Sequence, residues 1–323
     1  MEVNFDRLDF DKMGGLVPVV VKSLINGEIL MLGFANEEAV RRTVETGFAH
    51  FYSRTRRKLW MKGETSGNVL KVLRIRVDCD LDSLIYEVVP SGPTCHTGKW
   101  SCFHNDLVYS AKWDILWDLL VHTFSRAVIQ RRKGVGVDGD YLYVINPITD
   151  SIPPANPLLV SLMADYLLNQ VNYRELNKLV TPEALGLPLG SVMAYKASLP
   201  LAVVRKRSYG IEGMEVDYSS GYEDGKYYLY GLEEGDSLLL VDDALSTGGT
   251  ALSIINALER ANIEIKGIAV AVNKPQYGGE DKLKGLGYTV KRVVDLIVWS
   301  DGNIEISHGS RRARLKVPVL EYR

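Results

Sequence analysis

The chain has 323 residues and a formal net charge of -2, with 46% hydrophobic and 24% charged residues. That length exceeds what one hydrophobic core usually organises, so two domains are expected. The near-neutral balance carries no polyanion-binding signature and argues against a nucleic-acid partner. No apolar run reaches the roughly 20 residues that span a bilayer, which argues against a membrane partner. The opening Met1-Glu2-Val3-Asn4-Phe5-Asp6 lacks the basic-then-apolar layout of a signal peptide, so a cytoplasmic protein is expected.

Residues 17–22 and 28–34 are apolar-rich runs on either side of Asn26-Gly27. Asn-Gly favours a two-residue hairpin turn, in which both positions need positive φ. Asn36 can cap a following helix, Glu37 and Glu38 suit its positive end, and Gly47 suits its stop. Residues 50–53, 69–77 and 84–89 read as strands. From Tyr109 to Arg132, apolar residues including Ile115, Leu116, Leu119, Leu120, Phe124 and Val128 recur at helical spacing. Within that stretch His122 reads as a surface or packing residue, and Trp113 and Trp117, four apart, as packing between domains. The glycine-rich run 133–139 reads as a turn region.

Beyond Tyr141, the short apolar runs 202–204, 238–241, 267–272 and 290–298 alternate with helix-length segments, the pattern of a parallel α/β sheet. The boundary is expected near Asp106. This gives an α+β metal-binding domain over 1–106 and an α/β parallel-sheet domain over 107–323, with a helical lead-in over about 107–139.

All three cysteines lie between Cys79 and Cys102. An odd, clustered set in a cytoplasmic chain argues against disulfides. Three thiolates suit zinc and leave a fourth tetrahedral position for a water, whose pKa zinc lowers to about 7. Asp78, Asp80 and Asp82 are hard oxygen donors suited to magnesium. With no Cys-x-x-Cys pair, an acidic turn beside three core cysteines reads equally well from spacing alone.

The strings themselves go further. Asp78-Cys79-Asp80-Leu81-Asp82 and Cys95-His96-Thr97-Gly98-Lys99-Trp100-Ser101-Cys102-Phe103 resemble the two metal motifs of phosphoribosyl-AMP cyclohydrolases. Gly15-Leu16-Val17-Pro18, the 51–56 stretch and Leu59 to Gly67 look like further family positions in the same order, so the resemblance covers about residues 12 to 104. It implies zinc held by Cys79, Cys95 and Cys102, with Cys79 supplied by the opposite subunit of a homodimer. It also implies magnesium near Asp78, Asp80 and Asp82. The implied reaction is hydrolysis of the N1–C6 bond of the adenine ring of a phosphoribosylated nucleotide in histidine biosynthesis. His96 is the expected proton-transfer residue, because imidazole titrates near working pH; orienting a ligand is its alternative role. Arg54, Arg56, Arg57 and Lys58 can hold substrate phosphates or form a solvated edge. One departure is Asn68, where family members often carry His; Asn cannot shuttle a proton.

In the second half, the apolar run 238–241 leads into Asp242-Asp243-Ala244-Leu245-Ser246-Thr247-Gly248-Gly249-Thr250, followed by a helix-like stretch over 251–260. Two carboxylates at the carboxyl end of a parallel strand, ahead of backbone N–H groups and hydroxyls at a helix start, make a phosphate cradle. It lacks the Gly-Lys of a triphosphate loop. The string resembles the 5-phosphoribosyl 1-pyrophosphate motif of type I phosphoribosyltransferases, most closely archaeal hypoxanthine or adenine enzymes. The resemblance spans about residues 140 to 300 and includes Asn146 to Pro153. It implies that Asp242 and Asp243 hold ribose hydroxyls and Ala244 to Thr250 the 5′-phosphate. Arg205 and Lys206 would lie near pyrophosphate, with the 181–186 stretch as the pyrophosphate loop and Lys274 beside the base. Departures are Asn273-Lys274-Pro275 where Glu-Lys is usual, and Pro188 and Leu189 in the expected pyrophosphate loop. Two functions stay open for this half: purine phosphoribosyl transfer, or a non-catalytic module that binds 5-phosphoribosyl 1-pyrophosphate and regulates the first domain.

Overall fold

The computed structural model describes residues 8–105, 111–133, 140–219 and 224–320. Asp106, Tyr109, the Met1 to Asp6 opening and glycine-rich residues 134–139 lie outside the described residues. The chain divides into two compact units, Met1–Ser110 and Ala111–Arg323.

In the first unit the elements are β1 (Val17–Ser23), β2 (Ile29–Ala35), α1 (Glu37–Thr46), β3 (His50–Ser53), β4 (Lys58–Met61), β5 (Leu70–Val77) and β6 (Leu84–Pro90). Four strands form a sheet in the order β2-β1-β6-β5, and β3 and β4 form a separate hairpin. β1 alternates strictly, burying Val17, Val19 and Val21 against Leu30, Phe51 and Tyr86, the period-two signature of a half-buried strand. Asn36 caps α1 by accepting the Ala39 N–H at 3.0 Å, and Gly47 ends it in the left-handed region at φ 74°. The β1–β2 connection is longer than the expected two-residue turn. Leu24 to Glu28 bridge the strands, and of the Asn-Gly pair only Gly27 takes positive φ, at 73°.

The second unit contains α2 (Lys112–Phe124), β7 (Val128–Lys133), β8 (Asp140–Ile145), α3 (Pro147–Asp150), α4 (Pro157–Leu168), β9 (Lys178–Pro182), α5 (Leu187–Ala197) and β10 (Leu201–Val204). It continues with β11 (Met214–Ser219), β12 (Asp224–Leu229), β13 (Ser237–Leu245), α6 (Gly249–Arg260), β14 (Glu264–Asn273), α7 (Gly279–Gly285), β15 (Val290–Val298), β16 (Asn303–His308), β17 (Arg311–Lys316) and β18 (Val319–Leu320). Its main sheet has seven strands in the order β10-β9-β13-β14-β15-β16-β17. The first five are mutually parallel; β16 and β17 are antiparallel, so the sheet is mixed rather than purely parallel. Leu238, Leu239, Leu240 and Val241 of β13 are buried on both faces, as a central parallel strand requires.

The helical lead-in reading needs correction. Leu116, Leu120 and Phe124 are buried at a spacing of four, but α2 stops at Phe124. Beyond it burial alternates, with Ala127 and Ile129 in the core and Val128 half exposed, and β7 pairs antiparallel with β8. The period changes from helical to two inside one apolar stretch. Trp113 and Trp117 pack within the second unit's own core, Trp113 edge-on to Tyr166 with centroids 5.1 Å apart. His122 is exposed.

Candidate functional sites

The acidic motif of the first unit forms the turn between β5 and β6. Asp78 closes it, accepting the N–H groups of Asp82 at 3.0 Å and Ser83 at 3.2 Å. Desolvation pushes the Asp78 pKa up, but the donors from Ser83 and Asp82 together bring it below the ordinary carboxylate range. Ligand oxygens of Asp78, Asp80 and Asp82 lie within 4.8 Å of one another. The Lys12 ammonium, absent from any motif, donates to Asp80 Oδ2 at 2.9 Å and Asp82 Oδ2 at 3.1 Å. These bonds raise the lysine's pKa.

Cys95 and Cys102 come together at the other motif. The Thr94 N–H donates to Trp100 O at 3.1 Å and the Cys95 N–H to Lys99 O at 2.9 Å, closing a tight loop. The Cys102 N–H donates to Leu30 O at 2.8 Å, fastening that residue to β2. Thr97, whose Oγ1 is 3.1 Å from Cys95 Sγ, leads the contacts that hold the Cys95 thiol below its ordinary pKa. Burial pushes Cys102 up, with the neighbouring Cys95 adding to it. The Lys62 charge favours both thiolates. Cys79 lies on the acidic turn, exposed, and does not form a mutually close set with Cys95 and Cys102. His96 is exposed on the loop next to Cys95.

The second unit holds a cavity of about 230 Å³ at the carboxyl ends of β9, β13 and β14. Asp242 and Asp243 line it from within β13, whose pairing with β14 runs on to Leu245, rather than from beyond the strand's end. Burial raises the pKa of Asp242 to about 6. Burial, the Asp242 charge and the Asp150 charge push Asp243 well above the carboxylate range. Ala244, Ser246 and Thr250 reach the same cavity, and a smaller one of about 40 Å³ opens at the Ser246–Thr250 loop itself.

Gly248, at φ 80°, turns the chain into α6. The loop is held from outside by backbone. Gly279 N donates to Ser246 O at 2.9 Å, and a Cβ on Gly279 would stand 2.2 Å from that same oxygen. Just past the end of β14, the Lys274 N–H donates to Leu245 O at 2.8 Å. The Lys274 ammonium is buried against the cavity, 3.3 Å from Tyr141 Oη, and 5.1 and 5.6 Å from the ring centres of Tyr141 and Tyr143. Glu183 and Lys206 line the same cavity. Arg205 does not line the cavity; its guanidinium donates to Glu183 Oε2 at 3.0 Å.

Residues 31–104 match the family described as phosphoribosyl-AMP cyclohydrolase, and residues 155–300 the phosphoribosyl transferase domain. A phosphoribosyl-AMP cyclohydrolase of Cenarchaeum symbiosum (strain A) is 52% identical over 108 residues, covering 33% of this chain and 100% of that protein. A hypoxanthine/guanine phosphoribosyltransferase of Methanotorris igneus is 40% identical over 169 residues, 52% of this chain and 91% of that protein. The chain belongs to both families, one in each unit. A crystal structure of adenine phosphoribosyltransferase from Rhodothermus marinus DSM 4252 is also similar, at 24% identity and a TM-score of 0.45, covering 57% of this chain and 99% of that one.

The departures from the phosphoribosyltransferase pattern have local physical reasons. Asn273 Nδ2 donates to Glu280 Oε2 and to Asp295 Oδ1, each at 2.8 Å. A glutamate at 273 would set a third carboxylate against those two, so this chain needs a donor there. Pro188 and Leu189 lie in the first turn of α5, with Leu189 in the core, and neither lines the cavity. In the cyclohydrolase domain, Asn68 packs over two glycines. A Cβ on Gly63 would meet Asn68 O at 2.4 Å, and one on Gly92 would meet Asn68 Oδ1 at 2.5 Å. Tyr141, Tyr143 and Lys12 carried no motif and were not singled out by the sequence, and Glu183 and Lys62 were given no individual role within the stretches that contain them. No helix among the described residues is long and apolar enough to cross a membrane.

Proposed function

We propose that the first domain, over 1–106, opens the adenine ring of phosphoribosyl-AMP by hydrolysis of the N1–C6 bond in histidine biosynthesis. The second, over 107–323, transfers the phosphoribosyl group of 5-phosphoribosyl 1-pyrophosphate to a purine. In the second domain Asp242 and Asp243 hold the ribose hydroxyls, and the loop from Ala244 through Leu245, Ser246, Thr247, Gly248 and Gly249 to Thr250 holds the 5′-phosphate. Lys206, with Arg205 behind it, faces pyrophosphate, and Lys274 faces the base. The observation that carries this reading is that Asp242, Asp243, Thr250 and Lys274 line one cavity. Lys274 also favours a 6-oxopurine such as hypoxanthine or guanine. Its buried ammonium has three donors, and the Tyr141 hydroxyl is the partner found among the described residues. A carbonyl oxygen satisfies a further donor, whereas the amino group of adenine does not.

For the first domain, the donor sets fit two metals. Cys95 and Cys102, one of them already acidified, suit zinc, and Cys79 from a second subunit completes three thiolates. Asp78, Asp80 and Asp82 suit magnesium. Zinc, when bound, supplies a water that ionises near neutral pH. His96, beside Cys95, moves the proton, and the exposed Arg54, Arg56, Arg57 and Lys58 around the β3–β4 turn receive the substrate phosphates.

The departures Pro188 and Leu189, which would favour a regulatory module over transfer, do not line the cavity. The deciding experiment gives the purified protein 5-phosphoribosyl 1-pyrophosphate with adenine, hypoxanthine, guanine or orotate in turn, and phosphoribosyl-AMP in a separate assay. Transfer to hypoxanthine or guanine together with ring opening is expected. Absence of transfer to every base, with 5-phosphoribosyl 1-pyrophosphate altering ring opening, would favour the regulatory module.

A further inference from the structure

The lining of the second unit's cavity already includes an anion paired on cationic and N–H donors, and the chain itself provides it. Glu183 stands on the wall formed by residues 182–186. Its Oε2 accepts from Arg205 Nη1 at 3.0 Å and its Oε1 accepts the Lys206 N–H at 2.6 Å. One carboxylate thus takes a guanidinium and a backbone N–H in a paired grip, the arrangement that proteins use to recognise carboxylate and phosphate oxygens. Both donors belong to the segment proposed to face pyrophosphate. The backbone beneath them is fixed: Arg205 N and O exchange hydrogen bonds with Tyr228 at 2.8 and 2.7 Å, while neighbouring Tyr227 lines the cavity. The Arg205 and Glu183 side chains keep 34% and 22% exposure, so they can re-pair without moving the sheet.

We infer that Glu183 is an internal competitor for the pyrophosphate group, seated on Arg205 and the Lys206 N–H until the ligand's oxygens replace it. This rests on the reading of the second domain as a 5-phosphoribosyl 1-pyrophosphate site. An arriving polyanion either displaces the carboxylate from Arg205 or sits beside its negative charge; both lower pyrophosphate affinity. Neither touches the 5′-phosphate seat at Ser246 to Thr250. Glu183 therefore tunes one end of the ligand alone, weakening the hold on the leaving group and favouring its release.

Titration calorimetry of the full chain with magnesium pyrophosphate and, separately, ribose 5-phosphate tests this. Glu183→Gln keeps the acceptor and the side-chain shape but removes the charge. It is expected to bind pyrophosphate roughly tenfold more tightly, the effect of one unit charge removed a few ångströms away at a partly exposed site. Its ribose 5-phosphate affinity should match wild type. Glu183→Ala carries the same expectation, and thermal melts of both variants identify any that misfold. Pyrophosphate affinity that is unchanged or weaker in the folded variants overturns the competitor role and makes Glu183 a support for Arg205. A wild-type protein that binds neither ligand overturns the site reading itself, which a changed sign in the variants would not.

Discussion

Replacing Asp242 with Asn separates what this residue costs the fold from what it does for the ligand. Burial lifts the Asp242 pKa from 3.8 to about 6. A carboxyl group with a folded pKa above its unfolded value binds its proton more tightly in the native state. Its contribution to stability is therefore greatest below about pH 4 and falls as pH rises to about 6, after which the loss is complete. At about 1.4 kcal/mol per pH unit, the loss amounts to about 3 kcal/mol. Asn keeps the Oδ1 that accepts the Asp243 N–H at 2.9 Å, so the substitution removes the charge with little change in shape. The ligand-free Asp242→Asn domain should then match wild type near pH 4 and exceed it by about 3 kcal/mol at pH 7.5. It should also lose one charge-assisted bond to ribose, weakening 5-phosphoribosyl 1-pyrophosphate binding by roughly 10- to 150-fold. Urea unfolding from pH 4 to 8, followed by hydrogen exchange in β13 peptides, isolates this domain from the other. Titration calorimetry reads the ligand. A variant less stable than wild type at pH 7.5, or a stability difference between variant and wild type that does not grow between pH 4 and 6, would refute the reasoning.

Lys274→Met should raise the KM for hypoxanthine and guanine by roughly 10- to 100-fold, as expected for loss of a charged donor to the base. Steady-state kinetics with each base measures this, and pyrophosphate affinity should not change. Gly279→Ala pushes a methyl group into Ser246 O and must displace the phosphate loop, since backbone cannot yield as a flexible side chain can. Kinetics should show a larger rise in KM for 5-phosphoribosyl 1-pyrophosphate than for the base. Cys95→Ser should abolish both zinc content and ring opening, read by elemental analysis and activity. Mixing inactive Cys79→Ser with inactive Cys102→Ser chains should restore part of the ring-opening activity through an intact site in the mixed dimer, and recovery is measured after verified subunit exchange.

Local chemistry was legible wherever a short string determines it. Asn36 and Gly47 bracket α1 because capping needs only the residues at a helix's own ends. The Asp242–Thr250 string marks a strand turning into a helix for the same reason, although it does not reveal that β13 pairing continues past both aspartates. The stretch after Phe124 was misread because Val128 fits a helical spacing and a strand equally well, and only its pairing with β8 decides. Lys12 reaches aspartates 68 and 70 residues away, and Tyr141 meets Lys274 across 133 residues. No periodicity or spacing rule connects residues that far apart; the fold alone brings them together.

Asn273 shows how such distant contacts explain a local departure. It ends β14, directly before the lysine that lines the cavity. Its amide is buried between Glu280 at the start of α7 and Asp295 on β15, and Arg292 answers both of those carboxylates, at 2.9 and 2.6 Å. Lys284 also reaches Glu280, at 2.7 Å, so the donor amide, the guanidinium and the ammonium together balance two acids, and a carboxylate at 273 would place a third acid among them without the amide's donor. The adjoining backbone is bound to the 245–250 loop as well, through Lys274 N to Leu245 O and Gly279 N to Ser246 O. The lysine proposed to face the base and the loop proposed to receive phosphate are thus braced against each other by main-chain contacts. The amide of Asn273 thus suits the two carboxylates it meets, while the main-chain bonds beside it tie the Lys274 end of the cavity to the 245–250 loop.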